Sequence, residues 1–415
     1  MRRPLRVLLS LLLAVLLPLG AAGAEGCTIV HLSDLHYLSP TLTDGGEAFM
    51  TLLREGDGKV THYTPQLLRA FIGEMLALRP DAVVVSGDLT MNGALQSHRE
   101  LASQLEELVD AGISVFVLPG NHDLAKGAYR FTEAGAVIVE GTSGEDFAAL
   151  YGRCGYDGAL ARDTDTWSYT AEVVPGVRLL LVDVNAEGMG GSLTRSLLDW
   201  TEAQLQEAQA AGDLVIGVSH QNLLEHNEQF TTDYVIGYAL MLRRQWERYG
   251  VPLHLSGHLH IQHIARSNGL TDIAASSLSV WPLQYGIVTV GEDAIRYETH
   301  PVDVSAWAPE NAVEDANLLD FDRYARDFFD LCNRTRLTKR MAGWALPDED
   351  RQAMQALFLR LNAPYFAGRP LTGLDKSELA LWDSYLPEYP TTAYLHTMLL
   401  HPEQDSNTLL LPLSR

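Results

Sequence analysis

Residues 28–36, Thr-Ile-Val-His-Leu-Ser-Asp-Leu-His, join a short apolar run directly to an Asp-X-His triplet. Four later apolar runs end at polar residues in the same way: Ala82–Val85 before Gly87-Asp88, Ser114–Leu118 before Gly120-Asn121-His122-Asp123, Leu214–Val218 before Ser219-His220, and Leu253–Leu255 before Gly257-His258-Leu259-His260. In layered α/β folds, ligands bind beyond the carboxyl ends of the strands. We therefore expect these polar clusters to lie together at one rim of the fold.

Helical patterns lie between the strand patterns. Thr64-Pro65 begins one of them, which runs to about Leu78, and residues 193–211 form another. This alternation continues through residues 25–302 and predicts an α/β architecture. Residues 303–415 have apolar residues mostly at helical spacing, so we predict a helical C-terminal region.

The overall composition excludes several classes of protein. The chain has 415 residues, of which 47% are hydrophobic, enough for a large core. It has 53 acidic against 30 basic residues and a net charge of -23, so binding of polymeric nucleic acid is not expected. The three cysteines, Cys27, Cys154 and Cys332, are too few for a disulfide framework, although one disulfide, or a lipid at Cys27, remains open.

The first residues have the pattern of a secretory signal peptide. Arg2, Arg3 and Arg6 precede the apolar run Val7–Leu19, and small residues follow at positions 21–24. The apolar run is shorter than the roughly 20 residues that a membrane-spanning helix needs. We therefore predict a signal peptide at residues 1–24 and an exported protein, which is secreted, periplasmic or held at the cell surface without a stable membrane span.

The polar clusters offer carboxylate, imidazole and amide groups but no thiolate, a set that suits Mn, Fe or Zn. The candidate donors are the carboxylates of Asp34, Asp88 and Asp123, the amide of Asn121, and the imidazoles of His36, His122, His220, His258 and His260. This number exceeds what one ion needs, so we predict two ions that share a carboxylate. Two neighbouring ions are the arrangement used for in-line attack on phosphorus. The identity of the two ions remains open.

The ordered clusters resemble the calcineurin-like metallophosphoesterases, and the resemblance spans roughly residues 27–300. It implies a metallophosphoesterase catalytic domain at residues 25–302, built as a four-layer αββα sandwich with a dinuclear site at one rim. It also implies a division of the ligands. Asp34, His36 and His260 would bind the first ion, Asn121, His220 and His258 would bind the second, and Asp88 would bridge the two.

The same resemblance implies the catalytic groups. His122 matches the family's histidine that is not a metal ligand, which stabilises charge on the phosphate or protonates the leaving oxygen. Asp123 is expected to orient His122. The nucleophile would be a hydroxide that bridges the two ions.

A closer resemblance concerns substrate class. The segment from Gly87-Asp88 to Ser97-His98 and the residues around His220 are similar to exported bacterial proteins of the class III cyclic-nucleotide phosphodiesterase type, some of which have a helical C-terminal extension. Two residues depart from that pattern. Ala94 stands where a Glu is common and Gln221 stands where a second His is common, so their effect on activity remains open.

These observations favour an exported metal-dependent phosphoesterase that hydrolyses phosphodiesters, with cyclic nucleotides as candidate substrates. Two alternatives remain. The chain could be a phosphomonoesterase of broad specificity, because metal ligands alone do not separate the two activities. It could also be a non-catalytic metal-binding protein whose helical region binds a partner. The sequence leaves the oligomeric state open.

Overall fold

The computed structural model describes residues 26–374, 376–385 and 389–413, so the expected signal peptide at residues 1–24 lies outside the described residues. The strands are β1 Cys27–Leu32, β2 Ala82–Val85, β3 Ser114–Val117, β4 Gly127–Thr132, β5 Gly135–Glu140, β6 Ala161–Arg162, β7 Tyr169–Val174, β8 Val177–Leu181, β9 Leu214–Val218, β10 Leu253–Ser256, β11 His263–Ser267, β12 Leu270–Ala274, β13 Gln284–Val290, β14 Ala294–Pro301 and β15 Thr408–Pro412.

The α-helices are α1 Glu47–Arg54, α2 Thr64–Leu78, α3 Leu95–Asp110, α4 Gly144–Leu150, α5 Arg195–Ala211, α6 Ala239–Tyr249, α7 Val304–Glu310, α8 Phe321–Met341, α9 Asp348–Phe366, α10 Ala380–Tyr385 and α11 Pro390–Met398. Within the described ranges, none of the helices combines the length and apolar character needed to cross a membrane.

Most strands form two large sheets. The first has the order β15-β14-β13-β1-β2-β3, and the second has the order β11-β12-β10-β9-β8-β7-β6. β1, β2 and β3 are parallel to one another, and so are β8, β9, β10 and β12. The apolar runs that precede the polar clusters therefore end at a common edge within each sheet.

The two sheets pack face to face with helices on their outer sides. Ile29 and Val83 of the first sheet share one core with Leu181 and Ile216 of the second. α2 and α3 cover the first sheet, and α5 and α6 form a separate core against the second. This confirms the predicted α/β fold and its four layers. The strands are covered on both faces, which explains why Ala82–Val85 is continuously apolar.

The helix boundaries follow local sequence signals. α2 has a proline in its first turn, as Thr64-Pro65 predicted. α5 begins at Arg195 because the Thr194 hydroxyl caps it by accepting a hydrogen bond from the Leu197 amide. It ends at Gly212, which has a left-handed conformation with φ 80°. These helices fall within two residues of the ranges that the pattern predicted.

The C-terminal region is mostly helical, as predicted, and it packs against the α/β core. Phe328 and Phe329 of α8 belong to the same core as the two sheets. The region ends in a strand that the sequence analysis did not foresee, because β15 pairs antiparallel with β14 at the edge of the first sheet. That sheet thus includes residues from both sides of the predicted boundary at Val302, and the boundary itself stays a prediction.

The three cysteines are all buried, and none of them forms a disulfide. Burial raises the pKa of the Cys154 thiol to about 12, with a further contribution from Glu106. The disulfide that the composition left open does not form in this fold. These thiols therefore serve as small apolar core residues.

Candidate metal centre

The two sheets bring all seven predicted metal ligands to one place. Within this cluster, two groups of His and Asp side chains have ligand atoms within 4.8 Å of one another; the first is Asp34, His36, Asp88 and His260, and the second is Asp88, His220 and His258. Asn121 adjoins the second group, since its Oδ1 lies 3.0 Å from His220 Nε2. Asp88 belongs to both groups. This division is the one that the family resemblance implied, while the role of each residue as a ligand stays a prediction.

Electron-rich atoms face one another in both groups. His36 Nε2 lies 3.2 Å from His260 Nε2, and His258 Nδ1 lies 3.2 Å from His220 Nε2. Asp34 Oδ1 is buried without a hydrogen-bond partner in the described structure and lies 3.2 Å from His260 Nε2. Nitrogen and carboxylate lone pairs packed this closely are stable when a cation lies between them. The donor set therefore fits a pair of first-row divalent ions.

The outward-facing nitrogens of three histidines are bound to acceptors. His220 Nδ1 lies 2.9 Å from the Ser86 carbonyl oxygen, and His258 Nε2 lies 3.0 Å from the Asp233 carbonyl oxygen. His260 Nδ1 lies 2.8 Å from Asp57 Oδ2. Because these oxygens only accept, each outer nitrogen carries a proton, and the inner nitrogen is therefore the one that can bind a cation.

The backbone at these positions has an unusual conformation. Asp34, His36, Asp88, His258 and His260 all have positive φ, between 47° and 65°. Non-glycine residues rarely adopt this region, and such strain is often concentrated at functional sites. Hydrogen bonds hold the strained segments together, because the Asp34 amide donates to the Gly87 carbonyl and the His258 amide donates to Asp34 Oδ2.

Two glycines permit the close approach of the ligand segments. A Cβ atom at Gly87, where φ is 96°, would lie 2.5 Å from Nδ1 of His220. A Cβ atom at Gly120 would lie 2.3 Å from the Asp88 amide nitrogen. Any larger residue at either position would displace a predicted ligand, which accounts for the glycine before Asp88 and the glycine before Asn121.

The buried carboxylates make the site strongly attractive to positive charge. Burial by itself lowers the pKa of His220, but the charges of Asp88 and Asp34 outweigh it and raise that pKa to about 9. At His258, by contrast, burial and the neighbouring His220 lower the pKa to about 4. Protons can thus bind to only some of the imidazoles in this crowded site, whereas divalent cations would bind to all of them.

Asp57 is a site residue that the sequence analysis missed. It lies in the loop after α1 and accepts the hydrogen bond from His260 Nδ1, while Lys59 Nζ lies 3.4 Å from its Oδ2. Burial alone would raise the pKa of Asp57, but Lys59 and His260 hold it well below its ordinary value. A carboxylate so placed fixes the ring orientation of a metal-binding histidine and increases its basicity.

His122 lies at the edge of the centre with 42% of its side chain exposed. Its Nδ1 lies 2.9 Å from the Met91 carbonyl oxygen, and its Nε2 lies 3.9 Å from Asp88 Oδ2. The ring is therefore anchored on one side and open to a substrate on the other. This position suits the predicted role beside the phosphate, which stays a prediction.

Asp123, which was expected to orient His122, makes no hydrogen bond with the His122 ring within the described structure. The Asp123 carboxylate is fully buried and accepts hydrogen bonds from the amides of Gly120, at 2.8 Å, and Thr90, at 2.9 Å. Because these bonds use the carboxylate to hold the loops after β2 and β3 together, the Met91 carbonyl orients His122 instead.

Gln221 and Ala94, the two residues that depart from the closer resemblance, differ in their surroundings. Gln221 exchanges two hydrogen bonds with Asn185, at 3.0 and 2.7 Å, and Asn185 also donates to the Pro119 carbonyl. Through Asn185, Gln221 therefore stabilises the loop that leads to Asn121. Ala94 is fully buried at the start of α3, where its small side chain fits the core.

Other histidines near the clusters make hydrogen bonds within the core. His31 Nε2 lies 2.8 Å from Ser86 Oγ, and His254 Nε2 lies 2.8 Å from Ser219 Oγ. His98 contacts Thr90 and Tyr151. None of these residues belongs to the two ligand groups found among the described residues.

Comparison with protein families gives two matches. The family model described as calcineurin-like phosphoesterase matches residues 27–262. The model described as the C-terminal domain of cyclic nucleotide phosphodiesterase matches residues 303–405. A search of curated proteins gave no match.

Several solved structures are similar to this chain. A dimetal phosphatase from Danio rerio has a TM-score of 0.48 and 13% sequence identity, over 66% of this chain and 95% of that one. A purple acid phosphatase from seeds of yellow lupin (Lupinus luteus) has a TM-score of 0.46 and 12% identity, over 67% of this chain and 52% of that one. A protein described as a 5′-nucleotidase from Staphylococcus aureus has a TM-score of 0.38 and 15% identity, over 74% and 58%.

Proposed function

The chain belongs to the calcineurin-like phosphoesterase family and is a metal-dependent phosphoesterase, and from that premise we propose that it hydrolyses phosphodiesters, cyclic nucleotides first among them. The observation that carries this proposal is the match of residues 303–405 to the C-terminal domain of cyclic nucleotide phosphodiesterase. The match covers the helical region whose role the residue pattern alone left undefined.

The two ligand groups define how the chain would hold its metals. Asp34, His36 and His260 would bind one ion, while Asn121, His220 and His258 would bind the other, and Asp88 would serve both. When bound, the two cations would polarise the phosphoryl oxygens and lower the pKa of a water molecule at the phosphorus. The hydrogen bonds from the three outer imidazole nitrogens keep the inner nitrogens aimed at the ions.

His122 would act on the substrate itself. Its Nδ1 donates to the Met91 carbonyl, which fixes the plane of the ring. With both ring nitrogens protonated, its Nε2 would donate a proton to the leaving oxygen or stabilise charge on the phosphate. In this scheme Asp123 acts on the shape of the site through the Gly120 and Thr90 amides and does not touch the substrate.

We also propose that the protein is exported. The support is the sequence of residues 1–24, in which Arg2, Arg3 and Arg6 precede an apolar run and a short segment of small residues. Expression of the full chain with a reporter after Arg415, followed by cell fractionation, tests this. Export predicts a shortened product outside the cytoplasm, whereas a full-length product inside the cytoplasm would contradict it.

The substrate proposal is tested on protein stripped of metal and then given Mn²⁺. Bis(p-nitrophenyl) phosphate and p-nitrophenyl phosphate form a matched diester and monoester pair, and 3′,5′-cyclic AMP follows as a nucleotide substrate. We expect metal-restored turnover with a higher kcat/KM for the diester. A higher kcat/KM for the monoester would favour the phosphomonoesterase alternative and would overturn the proposal.

A further inference from the structure

A cavity of about 380 Å³ lies between the metal centre and the C-terminal helices. His258 and His260 line one side of it, while Arg336 of α8, Asn362 of α9 and Tyr394 of α11 line the other. Its volume lies within the range of small-molecule sites. The C-terminal region therefore forms one wall of a cavity that opens onto the predicted metal ligands.

The C-terminal wall carries two arginines that have no carboxylate partner among the residues that the structure describes. Arg336 and Arg340 lie one turn apart on α8, and both line the cavity. Neither guanidinium group makes an ion pair or hydrogen bond with another described residue, although Arg178 and Arg248 elsewhere do pair with carboxylates. In a chain with 53 acidic and 30 basic residues, two unpaired guanidinium groups facing one cavity indicate a site for an anion.

The charge inside the cavity supports the same conclusion. Asp57 is the one carboxylate among the described lining residues, and it is engaged by His260 and Lys59. The guanidinium groups of Arg336 and Arg340 therefore face no competing free carboxylate within this cavity.

An unpartnered hydroxyl lies on the same wall. Thr391 is 4% exposed and lines the cavity, and its Oγ1 makes no hydrogen bond within the described structure. It belongs to the first turn of α11, where backbone amides and the helix dipole favour an anion. A buried hydroxyl without a partner is costly, so a ligand oxygen at this position would remove that cost.

Aromatic rings connect the metal centre to this wall. The Tyr234 ring lies 5.1 Å from the His258 ring and 5.1 Å from the Phe230 ring, which lies 5.4 Å from the Tyr394 ring. The charge of Arg336 acts on Tyr394, where it opposes the upward effect of burial on the tyrosine pKa. The lining of the cavity thus combines two predicted metal ligands, aromatic rings and two arginines.

We propose that this cavity binds the part of the substrate that is not attacked, and that this part carries an aromatic ring and a second anionic group bound by Arg336, Arg340 and Thr391. The inference rests on the proposed function, in which the scissile phosphate lies at the metal centre. Among the proposed phosphodiesters, this favours a nucleotide that carries a further phosphate beside the scissile one. A cyclic nucleotide with a single phosphate would still bind at the metal centre, but it would leave Arg336 and Arg340 without an anionic partner.

Two chromogenic substrates that differ in one phosphate test this proposal: thymidine 5′-(p-nitrophenyl phosphate) and the same compound with a 3′-phosphate. We expect the Mn²⁺-loaded protein to have a KM at least about tenfold lower for the substrate with the 3′-phosphate. The double variant Arg336→Gln/Arg340→Gln should lose this preference, because charge-assisted hydrogen bonds are worth about tenfold or more in affinity. Its KM for the substrate without the 3′-phosphate should be unchanged.

The matched control is Arg334→Gln, which changes an exposed arginine of α8 that does not line the cavity. This control should keep the wild-type preference. An equal KM for the two substrates in the wild-type protein would overturn the proposal, and so would a preference that survives in the double variant.

Binding measured by calorimetry separates this proposal from the proposed function. Thymidine 3′,5′-bisphosphate should bind the wild-type protein at least about tenfold more tightly than thymidine 5′-monophosphate, and the double variant should not distinguish them. If neither chromogenic diester is hydrolysed but this binding difference holds, the phosphodiesterase assignment fails and the cavity assignment stands. Equal binding of the two nucleotides to the wild-type protein overturns the cavity assignment.

Discussion

The Nδ1 atom of His260 lies 2.8 Å from Oδ2 of Asp57, a residue 203 positions earlier in the chain. The contact joins the loop after α1 to the segment after β10. It makes Asp57 a positioning residue, because it orients a predicted ligand through the ring nitrogen that faces away from the centre.

Asp57→Asn should weaken metal binding by about tenfold or more, because it removes the charge that orients His260 and increases its basicity. The change is measured as the Mn²⁺ concentration that restores half-maximal activity to the metal-free protein. Asp199→Asn is the control, since Asp199 is an exposed partner of Arg195 on α5. The same Mn²⁺ requirement in Asp57→Asn and in the control would show that Asp57 has no such role.

His122→Ala should retain its metals and lose turnover by about 100-fold or more, because the ring acts on the substrate and is not a predicted ligand. His220→Ala should lose turnover together with one ion, since it removes an inner nitrogen from the second group. Metal content by elemental analysis, measured beside kcat, separates the two cases. Wild-type turnover in His122→Ala would remove its assigned role.

Gly87→Ala should reduce both stability and metal binding. Alanine at φ 96° costs about 1–2 kcal/mol, and its Cβ would meet the His220 ring at 2.5 Å. Gly212→Ala is the control, because Gly212 has φ 80° but open space around it, so it carries the strain without the contact. Thermal unfolding and Mn²⁺ titration of both variants check this. Equal metal affinity in the two variants would contradict the proposed close approach of Gly87 to His220.

His62 makes stability depend on pH at the contact between α8 and the α/β core. Its Nε2 lies 2.6 Å from the Tyr324 hydroxyl, and burial together with Arg54 lowers its pKa to about 4, against an opposing effect of Asp315. Between about pH 6.5 and 4, His62 is therefore protonated in the unfolded chain but neutral in the folded chain. This contribution to stability falls as the pH is lowered through that window.

His62→Gln removes that linkage. We expect urea unfolding to show a smaller stability loss from pH 7 to pH 5 in His62→Gln than in the wild-type protein, by about 1–2 kcal/mol. His300→Gln, which changes a histidine with 43% of its side chain exposed, should behave like the wild type. An unchanged pH dependence in His62→Gln would show that this histidine does not contribute.

The residue pattern predicted the features that depend on local sequence, namely the polar clusters at strand ends and the ends of two helices. Asp34 and His36 directly follow a strand, and so do the later clusters. The rule that ligands bind at the carboxyl ends of strands was therefore enough to predict that these seven residues, distant in sequence, lie close together. The start of α2 at Thr64 and the end of α5 before Gly212 were predictable, because a proline marks the first and a glycine marks the second.

What the pattern missed depends on tertiary contacts. Asp57 lies between two glycines in a loop, and no spacing relates it to His260. Arg336 looks like any polar residue of an amphipathic helix until the fold places it in the cavity beside His258. Asp123 was assigned to His122 because the two are adjacent in sequence, whereas hydrogen bonds to the loops after β2 and β3 turn its carboxylate away.

Metal stoichiometry tests most directly whether Asp88 belongs to two metal sites at once. Calorimetric titration of the metal-free protein with Mn²⁺ should give two ions per chain. Asp88→Ala should weaken both binding events, whereas His36→Ala and His258→Ala should each weaken one. A wild-type stoichiometry of one ion or none, or an Asp88→Ala variant that still binds two ions with wild-type affinity, would contradict the account.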